Sequence, residues 1–118
     1  MKAINLAEKL AQFDSHWDPK VVADYNTNDV MVVKFQGEFP LHKHDDTDDF
    51  FLVLDGEMTM DYEGADPVTV GAGELVVVPA GQVHRPRAEQ ECKVLLIEPK
   101  GEANTGDSGQ PAAPKDRI

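Results

Sequence analysis

At 118 residues the chain has the length of one domain. It is long enough for a modest core without the disulfides or structural metal that chains below about 40 residues need. Acidic residues outnumber basic ones by 22 to 11, and the net charge of −11 argues against nucleic acid or anionic membrane as a partner, since both attract basic surfaces. The excess of acid serves solubility, and no specific cationic partner is read into it. The single cysteine, Cys92, cannot form an internal disulfide, so a reducing, cytoplasmic compartment is expected and Cys92 reads as a packed thiol.

Residues 1–19 form the first segment. Its opening Met-Lys-Ala-Ile-Asn leads into an amphipathic stretch and not a long apolar one, so no secretory signal is expected. No apolar run anywhere approaches the ~20 residues that a membrane-spanning helix needs. Asn5 with Glu8 three residues on resembles a capping box, and Leu6, Leu10 and Phe13 share one helical face. The pattern predicts one short N-terminal helix ending near Asp14, with Trp17 as a packing anchor and His16 exposed in the loop after it.

Residues 20–98 change to strand patterning. Val21 to Tyr25 and Val30 to Phe35 flank the turn-rich Asn26-Thr27-Asn28-Asp29 and read as a hairpin. Further strands are predicted at Phe50 to Leu54, Glu57 to Tyr62, Pro67 to Val70, Leu75 to Val78 and Cys92 to Glu98, broken by Asp55-Gly56, Gly64-Ala65-Asp66 and Gly71-Ala72-Gly73. Many short strands with no helix between them mean an all-β sandwich or barrel. From Asp49 to Asp55 both strand faces are apolar, so both are covered: one by the barrel interior, the other by a second sheet, the N-terminal helix or a partner subunit. A homodimer is the simplest supplier of that cover. Residues 99–118, rich in Gly, Pro, Ala, Ser and Asp, are expected to be a flexible C-terminal tail.

Three of the four histidines make chemical sense together. His42 and His44 on an extended segment face one way, with Lys43 directed away, so two imidazoles can close on one ion. Asp49, where the next strand begins, can add a charged ligand, and His84 follows the Pro79-Ala80-Gly81 turn. His-x-His alone is a weak signal; the punctuation around it gives it weight. The blocks Gly37 … His42-Lys43-His44 … Asp49 … Gly56 and Gly73 … Pro79-Ala80-Gly81 … His84 resemble the paired motifs of the cupin superfamily. The second block matches that pattern at every step. In the first, Gly37 stands one residue closer to His42 than in the commonest form, and Asp49 replaces glutamate; after the second, Ala88 replaces a frequent asparagine.

The resemblance implies a cupin-type double-stranded β-helix, a jelly-roll barrel with one short N-terminal α-helix, of the small single-domain bacterial kind. It also implies one divalent metal ion (Zn, Fe, Mn, Ni or Co) held by His42, His44, Asp49 and His84, with open positions for a ligand. Arg85 and Arg87 can clamp an anionic substrate or pair with Glu89, Glu91 or the acidic run at Asp45-Asp46-Thr47-Asp48. Met58, Met60 and Tyr62 share a strand face as lining or interface packing, which makes Arg85, Tyr62 and Met60 the candidate substrate contacts. The expected function is a metal-dependent enzyme acting on a small oxygenated or sugar-like molecule; the alternatives are a non-enzymatic ligand- or metal-binding sensor and a metal-free structural barrel. No P-loop, dinucleotide fingerprint, nucleophile elbow or Cys-x-x-Cys competes with these readings.

Overall fold

Alternating side chains along the strands decide the architecture. A computed structural model describes residues 1–118, with one helix, α1 (Leu6–Leu10), and seven strands: β1 (Lys20–Tyr25), β2 (Asn28–Glu38), β3 (Asp49–Asp55), β4 (Glu57–Tyr62), β5 (Ala65–Gly71), β6 (Leu75–Val78) and β7 (His84–Pro99). All strand pairings are antiparallel, in the order β1-β2-β7-β3-β6, with β4 joining β7 and β5 joining β4. The sixteen-residue β7 is the spine. It pairs with β2 along one edge, while its other edge pairs first with β4 and then with β3.

The inner face is read directly from register. Met31, Leu96, Phe51 and Val76 are successive partners across β2, β7, β3 and β6, and Val33, Val94 and Val53 form the next row. These residues, with Phe35, Met58, Met60, Val70, Val78 and Cys92, make the main core. Burial lifts the Cys92 thiol to about 11, so it is the packed, inert cysteine expected.

The opposite face of the same strands is also apolar. Val30–Ile97–Phe50–Val77 and Val32–Leu95–Leu52–Leu75 are cross-strand rows on it. The β1–β2 side is covered by α1, where Leu10 packs with Val22 and Val32 and draws in Leu6, Phe13, Leu54 and Ile118. On the β6 side Leu75 and Val77 remain 55% and 46% exposed.

Four elements differ from the sequence expectation. The helix is one turn, capped by Asn5 Oδ1 accepting from Glu8 N, and it stops at Leu10; Phe13 reaches the same cluster from the following loop. The hairpin turn is shorter, since Asn28 already pairs with Tyr25 and Asn26 takes up the positive φ of 53°. The strand β7 begins eight residues before Cys92: His84, Pro86 and Ala88 face inward while Arg85 and Arg87 face out. Residues 99–118 are not free but fold back along the barrel, ending in a parallel bridge between Arg117 and Val21.

Gly56, the closing glycine of the first motif, has φ +85°, and a Cβ there would lie 2.9 Å from the Glu91 carbonyl oxygen. Gly56→Ala should therefore lower the denaturant midpoint through both strain and clash. Met31→Ala, which empties a fully buried position, should cost about 2–5 kcal/mol in the same unfolding measurement.

Candidate metal centre

The loop from β2 to β3, the first residue of β3 and the first residue of β7 meet at one end of the barrel. His42 and His84 exchange backbone hydrogen bonds (His42 N to His84 O, 3.0 Å; His84 N to His42 O, 2.9 Å), an isolated bridge that sets their side chains beside one another. The Pro79-Ala80-Gly81 turn is tied to the same loop, because Gly81 N donates to His44 O and Ala80 N to Asp48 Oδ1. The second motif's punctuation thus docks it on the first.

His42, His44, Asp49 and His84 are between 1% and 3% exposed, and one ligand atom from each lies within 4.8 Å of the others. The structure therefore brings together the four residues that the spacing singled out. His42 Nδ1 contacts Pro40 O at 2.9 Å and His84 Nδ1 contacts Gln82 O at 2.8 Å. A carbonyl oxygen only accepts, so Nδ1 carries the proton in both rings. His44 Nδ1 is likewise 2.9 Å from a carboxylate oxygen, Glu102 Oε1. All three imidazoles are thereby turned so that Nε2 is left for the cluster.

Asp49 Oδ2 lies 3.1 Å from His84 Nε2 and 3.2 Å from His44 Nε2. The His44 approach lacks the alignment of a hydrogen bond, and both His44 Nε2 and Asp49 Oδ1 are buried without a hydrogen-bond partner. Acceptors facing acceptors in a dry pocket call for a cation between them. Burial opposes charge on His44, but Asp49 and Glu102 outweigh it and lift the ring to about 9, which favours a proton there in the metal-free protein. Burial also opposes charge on Asp49, yet His44 and His84 hold its carboxyl below the ordinary range. Burial lowers His42. Three imidazole nitrogens and a carboxylate, with two orphaned polar atoms among them, fit a divalent metal ion. Aspartate in place of glutamate does not remove the carboxylate from the cluster.

A narrow cleft opens beside the cluster, walled by Trp17, Phe35, Phe39 and Phe51 and reaching His42, Asp49 and Glu98. Trp17 stacks on Phe35 at 4.4 Å and donates from Nε1 to Gln36 O, so the expected packing anchor is also a cleft wall. Glu98 is the polar residue that sequence reasoning passed over. It follows Cys92, Val94 and Leu96 on the inward side of β7, and that alternation was the available signal. Burial and the charge of Asp49 raise its carboxyl, against the pull of Lys115 at 3.1 Å.

Of the candidate substrate contacts, Tyr62 is the cross-strand partner of His84 and half-buried, and Met60 is fully buried opposite Pro86. Arg85 lies on the outer face of β7. Its Nε and that of Arg87 both donate to Asp61 Oδ2 at 2.9 Å, so the ion pair forms across β4–β7 with Asp61 and not with Glu89 or Glu91. Glu91 instead meets His16 at 2.8 Å, giving that residue a partner that local spacing could not reveal.

The model of the Cupin domain matches residues 29–98, more than half of the chain. The chain belongs to the cupin family. It is 32% identical over 79 residues to the uncharacterized protein YdbB of Bacillus subtilis (strain 168), covering 67% of this chain and 70% of that one. Among solved structures, a cupin-2 domain containing protein from Shewanella frigidimarina superposes with a TM-score of 0.81 at 40% identity, over 83% of this chain and 95% of that one. A Neisseria meningitidis protein superposes with a TM-score of 0.76 at 31% identity, over 84% and 100%. This cupin is therefore mostly β, as its strand pattern implied, with a small N-terminal helix and a buried group able to hold a metal.

The tautomer assignment is checked by long-range proton–nitrogen NMR spectra of metal-free protein. His42 and His84 should show protonated Nδ1, and His44 should stay doubly protonated at pH 7 and lose its charge only as pH rises through about 9. A neutral ring with protonated Nε2 at His42 or His84 would undo the assignment.

Proposed function

We propose that this cupin holds one divalent metal ion at His42, His44, Asp49 and His84 and acts on a small oxygenated molecule bound in the adjoining cleft. The observation that carries this reading is the common anchoring of the three Nδ1 atoms, which leaves three imidazole edges and Asp49 facing one buried point. Ligand type alone does not choose between Zn, Fe, Mn, Ni and Co. A bound ion there would supply Lewis-acid polarisation of a ligand oxygen. Trp17, Phe35 and Phe39 exclude water from the cleft and favour a ligand with an apolar body, while Glu98 offers it a polar contact. Tyr62, beside His84, is the candidate contact on the β4 side.

A second reading, ligand binding without turnover, is favoured by the filling of the barrel interior. Met58, Met60 and Phe51 occupy the centre, so the cleft beside the metal ligands is narrow. Either reading accommodates a homodimer, in which a second copy covers the exposed Leu75 and Val77 beside Phe50 and Leu52. Val77→Glu should then shift the mass measured by light scattering from dimer to monomer; a wild-type monomer would remove the dimer.

Elemental analysis of protein purified without a histidine tag tests the metal directly. Near-stoichiometric metal is expected in wild type and none in the His42→Ala/His84→Ala double variant. No uptake, even after reconstitution with Mn, Fe, Ni and Zn, would leave metal-free ligand binding or the structural barrel as the reading. Asp49→Ala should weaken the affinity that His84→Ala abolishes; affinity equal to wild type would take Asp49 out of the ligand set.

A further inference from the structure

Two of the three histidines are anchored by their own backbone, and the third is not. His42 and His84 each place Nδ1 on the carbonyl two residues earlier, Pro40 and Gln82. The equivalent carbonyl for His44 belongs to His42, and it already accepts from His84 N in the bridge that joins the two motifs. The partner for His44 comes from fifty-eight residues away, where Glu102 Oε1 accepts from Nδ1 at 2.9 Å.

Glu102 belongs to a strap, residues 99–118, built onto the ligand loop. Asp107 grips Lys43 on both sides: its Oδ1 accepts from Lys43 N at 2.8 Å, and its N donates to Lys43 O at 3.2 Å. Gly106 sits so close that a Cβ would come within 2.9 Å of His42 Cδ2 and collide with the Lys43 carbonyl. Lys115 Nζ bridges Glu98 Oε2 and the Glu102 carbonyl oxygen. Both ends of the strap return to one residue of β1, since Asp24 Oδ1 accepts from Lys100 Nζ and Arg117 Nη2 at 2.6 Å each.

We propose that Glu102 is a positioning residue for the metal centre, and that strap docking and metal binding stabilise one another. The inference rests on the metal reading above. A carboxylate on Nδ1 fixes the ring's orientation and strengthens Nε2 as a donor to an ion. Since a docked strap presents His44 in its ligand pose, a metal on His44 must by linkage favour the docked strap to the same degree.

The test uses the full chain and Zn²⁺ as the probe. Competition with a chromophoric chelator should show Glu102→Ala weakening Zn²⁺ binding about 10- to 100-fold, with Glu102→Gln, which keeps an acceptor, recovering part of the loss. Asp107→Ala, which removes the strap's carboxylate from Lys43 N and touches no ligand side chain, should move affinity the same way. In the reverse direction, Zn²⁺ should slow tryptic cleavage after Lys100 in wild type. At saturating Zn²⁺ it should give much less protection in Glu102→Ala. A purely structural Glu102 would lower the melting temperature equally with and without Zn²⁺ and leave affinity unchanged. That result overturns the proposal, as does strap cleavage that ignores Zn²⁺ in wild type. If wild type binds no Zn²⁺, the metal reading fails first and this inference falls with it; if wild type binds and Glu102→Ala binds equally well, only this inference falls.

Discussion

The arrangement at the centre of this cupin depends on a single electrostatic conflict: Asp49 is buried against the Nε2 edges of His44 and His84. Buried acceptors cannot face one another without a cation between them. The fold does not relax the conflict by turning a ring, because each Nδ1 is already committed to an oxygen. It must therefore be met by a proton on His44 or by an ion in the middle, and those two compete for the same nitrogen. The surrounding core makes the conflict stable to carry. Phe51 and Val53 follow Asp49 on the inward side of β3, and Leu96 and Val94 are their partners across β7.

Much of this was legible because strands and tight turns leave local signatures. The bounds of β4 and β6 follow from Gly56, Gly64 and Gly73 and from the alternation between them. His-x-His declares itself by a spacing of two, and His84 by the turn before it. The first half of β7 was not legible, because its outward residues Arg85, Arg87, Glu89 and Glu91 lower its apolarity. Its strand state is imposed by β2 and β4, which tertiary pairing decides and local composition does not.

The tail is the larger difference, and it has a physical reason. Composition reports how much apolar surface a segment can bury by itself, and residues 99–118 can bury little. What holds them is a set of polar contacts to side chains far away in the sequence: Lys100 and Arg117 to Asp24, Lys115 to Glu98, Asp107 to Lys43. Glu102 was missed for the same reason. A ligand set with close internal spacing advertises itself, whereas the groups that orient it are free to come from anywhere along the chain.

The inward positions of β7 on either side of its exposed stretch Glu89–Glu91 have a further consequence. His84, Pro86, Ala88, Cys92, Val94, Leu96 and Glu98 all face inward, so ligand end, core and cleft end share one parity across the strand's irregularity opposite Phe35 and Gly37. Within the regular stretches 84–88 and 92–98 that parity leaves no room for a change of length. Inserting or removing a single residue there would send one end's inward side chains to the surface while the other stayed in place. A change of length is absorbed most readily where the strand is already irregular, at Glu89–Glu91, or in the turns at its two ends.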